Sequence, residues 1–186
     1  TISPDGLTLY VALKDSQVTG GGTITGDGKF PTECHVSVID TQSNQEVNLI
    51  TLSSGNASPE GIAISPDGSR VYVANQGNNT VDVLLTSTET LNTTFSTPGL
   101  IPYAVGVSGD SLRVIAVGDG FPVFIDPFDF GATSNTGDSG FPATERDVTV
   151  IGNRAYVTDV NQGHISIYDV SLEGLIDSIS LSGKSA

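Results

Sequence analysis

Residues 35–40 read His-Val-Ser-Val-Ile-Asp and residues 164–169 read His-Ile-Ser-Ile-Tyr-Asp, so two histidines stand at matching places in a chain that repeats itself. Glu60, Tyr103 and Glu145 form a second matched set, each placed ahead of an apolar run. Two imidazoles and two carboxylates on one face supply the donors of a divalent-metal site, or an acid and base for proton transfer. The repetition also has a plain account, because a repeating chain duplicates residues for packing. Asp15 and Asp27, set among glycines, could wrap a Ca²⁺ ion, although the spacing of an EF-hand loop is missing. Asp119, Asp126, Asp129 and Asp138 make a further acidic stretch that reads as solvated surface. No Gly-x-Ser-x-Gly elbow, His-Glu-x-x-His pair or phosphate-binding loop occurs, so no motif argues for catalysis.

Composition bounds the elements that must hold these residues. Seven basic against 21 acidic residues give a net charge of −14, which repels nucleic-acid phosphates and anionic membranes, so no nucleic-acid partner is expected. No apolar run approaches the roughly 20 residues of a membrane-crossing helix, and no membrane insertion is expected. Hydrophobic residues make up 37% and charged residues only 15%, with 22 Gly and 9 Pro. That balance suits many short strands joined by tight turns. The single Cys34 has no internal partner for a disulfide. Asn56, Asn78 and Asn92 open Asn-x-Ser/Thr acceptors, and with the Ser/Thr-rich polar composition they point to an extracellular or cell-surface glycoprotein. Asn78 and Asn92 are the expected glycan sites, since Pro59 follows the Ser58 of the first acceptor. Methionine is absent even at position 1, which reads as a processed chain or one cut from a longer one.

The repeat itself is explicit. Ser3-Pro4-Asp5-Gly6 with Leu9-Tyr10-Val11-Ala12 is rewritten as Ser65-Pro66-Asp67-Gly68 with Val71-Tyr72-Val73-Ala74. A weaker copy joins Ser108-Gly109-Asp110-Ser111 to Val114-Ile115-Ala116-Val117, and a fourth joins Val150-Ile151-Gly152-Asn153 to Ala155-Tyr156-Val157-Thr158. At the tyrosine position the copies lie 62, 43 and 41 residues apart, and a 17-residue insertion within 14–31 explains the long first interval. In the second copy the predicted strands are 61–65, 70–75, 80–85 and 93–97. Pro presets the first turn, Asp bonds back to the backbone, and Gly accepts a left-handed conformation. The strands are apolar at nearly every residue, so both faces of each sheet need cover. Radial stacking of four-stranded antiparallel sheets provides it, and a period of about 40 to 45 residues is that of a β-propeller blade. The expected fold is all-β, with four blades near 1–58, 59–101, 102–143 and 144–186.

The stretch "ISPDGSRVYVANQGNNTVDVL" resembles the YVTN repeat of β-propellers, whose signature Tyr72-Val73-Ala74-Asn75 and Tyr156-Val157-Thr158-Asp159 approximate. The resemblance runs through essentially the whole chain and weakens in the third copy, where Ile115 replaces Tyr. It implies the fold, and a range of roles from surface-layer and adhesion-like proteins to redox-enzyme subunits and relatives of lactone hydrolases.

Both ends of the chain read as lying inside the innermost strand of a blade. The expected arrangement is a segment of a larger propeller, with a compact four-blade ring and an assembly of subunits as alternatives. The insertion 14–31 sits at a rim, where propeller loops carry recognition. The expected function is a non-catalytic extracellular or cell-surface module that binds a protein or glycan partner or self-assembles, without a cofactor. The alternative is a lactonase-like hydrolase with a divalent metal in the channel, held by residues such as Glu60, Glu145, His35 or His164.

Overall fold

The computed structural model describes residues 1–14, 34–53, 57–128, 131–134, 143–159 and 163–181, without the side chains of 131–134 and 143–145. Every regular element among them is a strand. Asp15, Asp27, Asn56, Asp129, Asp138 and all but the first residue of the insertion lie outside the described residues.

Blade 1 holds β1 (Thr8–Leu13), β2 (His35–Asp40) and β3 (Gln45–Thr51). Blade 2 holds β4 (Pro59–Ile64), β5 (Arg70–Asn75), β6 (Thr80–Leu85) and β7 (Thr90–Ser96). Blade 3 is β8 (Leu100–Val107), β9 (Val114–Gly120), β10 (Val123–Asp126) and β11 (Gly131–Ser134). Blade 4 is β12 (Ala143–Ile151), β13 (Arg154–Asp159), β14 (His164–Asp169) and β15 (Gly174–Ser180). Each blade is an antiparallel meander, and the start of β12 also pairs with the end of β9, tying blade 4 to blade 3. The fold is a partial β-propeller. The first blade departs from the expected four strands: its innermost strand is reduced to the Ile2–Leu9 bridge, backed by Tyr10 N–H donating to the Thr1 carbonyl.

Alternate side chains of each strand enter two different cores. Val71 and Val73 of β5 pack toward blade 1 with Tyr10, Val36, Val38 and Ile50. Tyr72 and Ala74, between them in sequence, pack toward blade 3 with Val105, Val107, Val114 and Ala116. Ile115, Val117 and Phe124 then meet Ala155, Val157 and Tyr168 of blade 4. Packing of the inner strands runs β1 to β4 to β8 to β12, and among the described residues no comparable packing joins β12 to β1. The four blades form an open arc. Its end faces carry apolar groups in water: Leu13 and Leu49 on blade 1, and Ile179 on blade 4 at the place where Phe95 is buried between blades 2 and 3.

In blades 1 to 3 the turns between first and second strands are built alike. Ser3, Ser65 and Ser108 each donate a hydroxyl to the aspartate two residues on, and each accepts a backbone N–H from five residues on. Gly6, Gly68 and Ser111 donate their N–H back to the serine carbonyl, with φ of 75°, 73° and 63°. The hydroxyls, followed by the backbone N–H groups, hold the Asp5, Asp67 and Asp110 carboxyls below the usual carboxylate range.

Two outcomes follow from these turns. Gly68→Val should destabilise the chain by about 1 kcal/mol or more, because a β-branched residue resists φ near 73°; an unchanged melting temperature would refute it. The turn carboxyls have lowered pKa values in the folded state, so they contribute stability above the unfolded value of roughly 3.9. That stability is lost as pH falls through the folded values. The melting temperature should therefore drop below about pH 4, less steeply in Ser65→Ala than in the parent chain.

Candidate functional site

At the rim opposite those turns, every complete inner strand carries a β-bulge at the same place. The pairing of β4 with β5 slips between Pro59 and Ile62, that of β8 with β9 between Pro102 and Ala104, and that of β12 with β13 between Glu145 and Asp147. The extra residue is thrown out of the ladder and its side chain re-aimed. Glu60, Tyr103 and Arg146 occupy this position. The matched set read from the sequence, Glu60, Tyr103 and Glu145, is thus off by one in the fourth blade. The reason is a shorter hairpin: Gly152 and Asn153 alone separate β12 from β13, whereas residues 65–69 separate β4 from β5. Glu145 stands instead at the place of Pro59 and Pro102, paired with Asp159.

These bulges line a cleft of about 420 Å³ bounded by Glu60, Gly61, Tyr103, Ala104, Arg146 and Asp147. Gly61 makes its floor. A Cβ there would lie 2.6 Å from the Tyr103 carbonyl oxygen, so only glycine lets β4 approach β8 this closely.

Tyr103 is the pivot of the rim. Its hydroxyl donates to Asp119 Oδ2 at 2.8 Å and accepts from Gln76 Nε2 at 3.3 Å, which fixes the ring from β9 and from the turn after β5. The Arg146 guanidinium lies over that ring, 4.3 Å from its centroid. The rim's ion pairs are long: Arg146 to Asp119 Oδ1 at 4.0 Å and Lys14 Nζ to Glu60 Oε1 at 3.8 Å. Asp119 Oδ1 is buried without a hydrogen-bond partner. All of these charged side chains are more than a third exposed, so solvent screens the pairs. Chemically, the rim offers an anchored aromatic ring, one amide and three carboxylates, with two cations in loose attendance.

Lys14, Gln76 and Arg146 were not among the candidate residues read from the sequence, and Asp119 figured there only as solvated acidic surface. A signal for three of them was available, since Lys14, Gln76 and Asp119 each fall four residues after the repeat's tyrosine position.

The histidines have a different place. His35 opens β2 opposite Leu13 and His164 opens β14 opposite Asp159, with two blades between them. His164 Nε2 lies 3.9 Å from the buried Asp159 carboxylate, the counterpart of the Asn75–Thr80 side-chain pair that closes the same turn in blade 2. Among the described residues no three His, Cys, Asp or Glu side chains gather as a metal site. The acceptor asparagines also differ. Asn78 donates to Ser53 Oγ and accepts from Thr80 Oγ1, within the blade 1–blade 2 junction. Asn92 is exposed in the outermost strand β7, at a bulge where Val83 pairs Thr93 and Leu84 pairs Leu91.

No family model and no curated protein sequence matches the chain. Solved structures do. Hydrazine synthase of Kuenenia stuttgartiensis superposes with a TM-score of 0.69 at 18% identity, over 96% of this chain and 47% of that one. The structure of U3-55K superposes with a TM-score of 0.72 at 10% identity, over 97% of this chain and 50% of that one. The chain spans about half the length of each, and at these identities the likeness is one of fold: an arc of blades such as a larger propeller contains.

Proposed function

We propose that the chain is a non-catalytic propeller module of the cell exterior or cell surface, binding a protein or glycan partner, with its end blades covered by further blades in a larger assembly. The observation that carries this reading is the pair of apolar end faces. Ile179 is 45% exposed where its counterpart Phe95 is 5% exposed, and Tyr156 is half-buried where Tyr72 is fully buried. An aromatic or aliphatic side chain left in water at such a position forgoes roughly 1.5–3 kcal/mol that a neighbouring blade would recover. The rim cleft adds a surface with recognition chemistry: an anchored aromatic ring flanked by carboxylates. For the lactonase-like alternative with a divalent ion, no observation favours convergence of Glu60, Glu145, His35 and His164.

Sedimentation of the chain tests the covered ends. Association that rises with concentration and is weakened by Ile179→Lys is the expected result. A compact monomer at every concentration, with Ile179→Lys indistinguishable from the parent, would defeat it. For the exterior location, glycopeptide mass spectrometry on the native protein should find a glycan at Asn92 and none at Asn78, whose amide is already engaged. Bare asparagine at 92 would count against secretion.

A further inference from the structure

We propose that the rim cleft is a seat for a cationic side chain, Arg or Lys, presented by a partner polypeptide. This deepens the binding-module reading and rests on it.

The chain itself shows how such a group sits. Arg146 rests 4.3 Å over the Tyr103 ring, within the roughly 6 Å over which a ring face attracts a cation. The ring cannot turn away, because Asp119 and Gln76 hold its hydroxyl from β9 and the turn after β5. Arg146 nevertheless fills the seat poorly. It reaches Asp119 only at 4.0 Å, leaves Asp119 Oδ1 buried and without a hydrogen bond, and keeps 44% of its side chain in water. On the other side of the cleft, Glu60 is met among the described residues only by Lys14 at 3.8 Å, and Asp147 also lines the cleft. Among the described residues, three carboxylates against two loosely held cations leave the cleft acidic, as the net charge of −14 leaves the whole chain. An anionic ligand would face that excess, whereas a basic side chain would complete it. The volume, about 420 Å³, lies at the small end of the roughly 300–1,000 Å³ usual for ligand pockets, which suits one extended side chain better than a folded domain.

Arg146 is then a placeholder. An incoming guanidinium displaces it from the ring, gains the Asp119 carboxylate at hydrogen-bond distance, and finds Glu60 and Asp147 to either side. No bond is made or broken.

The test uses acetylated, amidated tri-arginine, tri-lysine and tri-glutamate peptides, titrated calorimetrically into the chain. At about 150 mM salt, charges beyond roughly 8 Å are largely screened. Tri-arginine should bind, tri-lysine more weakly, and tri-glutamate not at all. Arg146→Ala should tighten tri-arginine binding about two- to fivefold by emptying the seat, and Tyr103→Leu should weaken it by a similar factor. Tyr103→Phe keeps the ring and should retain most of the affinity, which separates loss of the seat from loss of the fold. Arg154→Ala removes the same charge at the far end of β13 and should change nothing. Equal tightening by Arg146→Ala and Arg154→Ala would reduce the effect to overall charge and overturn the proposal. Absence of tri-arginine binding, or binding of a neutral oligosaccharide in its place, would do the same. Neither outcome touches the end faces, so association that persists in sedimentation would leave the module reading standing.

Discussion

Val71, Tyr72, Val73 and Ala74 are consecutive, apolar and completely buried, and a strand sends consecutive side chains to opposite faces. Such a strand can live only between two other layers. A single sheet with one wet face would strand half of these groups in solvent, and a two-layer sandwich would leave the outer half equally bare. Stacking blade on blade meets the demand: Val71 and Val73 are buried against blade 1, Tyr72 and Ala74 against blade 3. The same demand cannot be met at blades 1 and 4 by these four blades alone. Leu13, Leu49 and Ile179 stand exposed there as a result.

The two rims divide the remaining work. At the turn rim, neighbouring blades touch through backbone and small groups: Asp67 N–H donates to Ser111 Oγ, and Gly109 N–H donates to the Gly152 carbonyl. Those contacts set blade against blade and leave little free polar chemistry. At the bulge rim, side chains are thrown clear of the ladders, and beside the backbone pairing of β12 with β9 the ion pairs between blades are long and exposed. A surface of the first kind suits spacing, and one of the second kind suits exchange of partners.

The sequence made the repeat, the turns and the strand interiors readable. Ser65-Pro66-Asp67-Gly68 announces its turn, and β5 and β6 fall at residues 70–75 and 80–85 as the apolar runs predict. The outer strand β7 extends from Thr90, earlier than its polar residues suggest, because pairing to the buried β6 overrides its weak propensity. The bulges were not readable. A bulge is one surplus residue that leaves no compositional mark, and the hairpin at Gly152-Asn153, shorter than those of the other copies, moved the match in blade 4 from Glu145 to Arg146. A slip of one residue in a strand exchanges inside for outside, so the side chain assigned to that place changed from an anion to a cation.

The bulge position has a consequence for how such a chain diversifies. Glu60, Tyr103 and Arg146 differ in charge, size and hydrogen-bonding character, yet each occupies the same place in a blade whose buried strands remain Val- and Ile-rich. The residue that faces the cleft stands outside the ladder that holds the blade together. Duplication of a blade therefore copies a blank socket along with a finished frame, and a single codon change in the socket can rewrite the charge and shape of the rim while the frame is inherited intact.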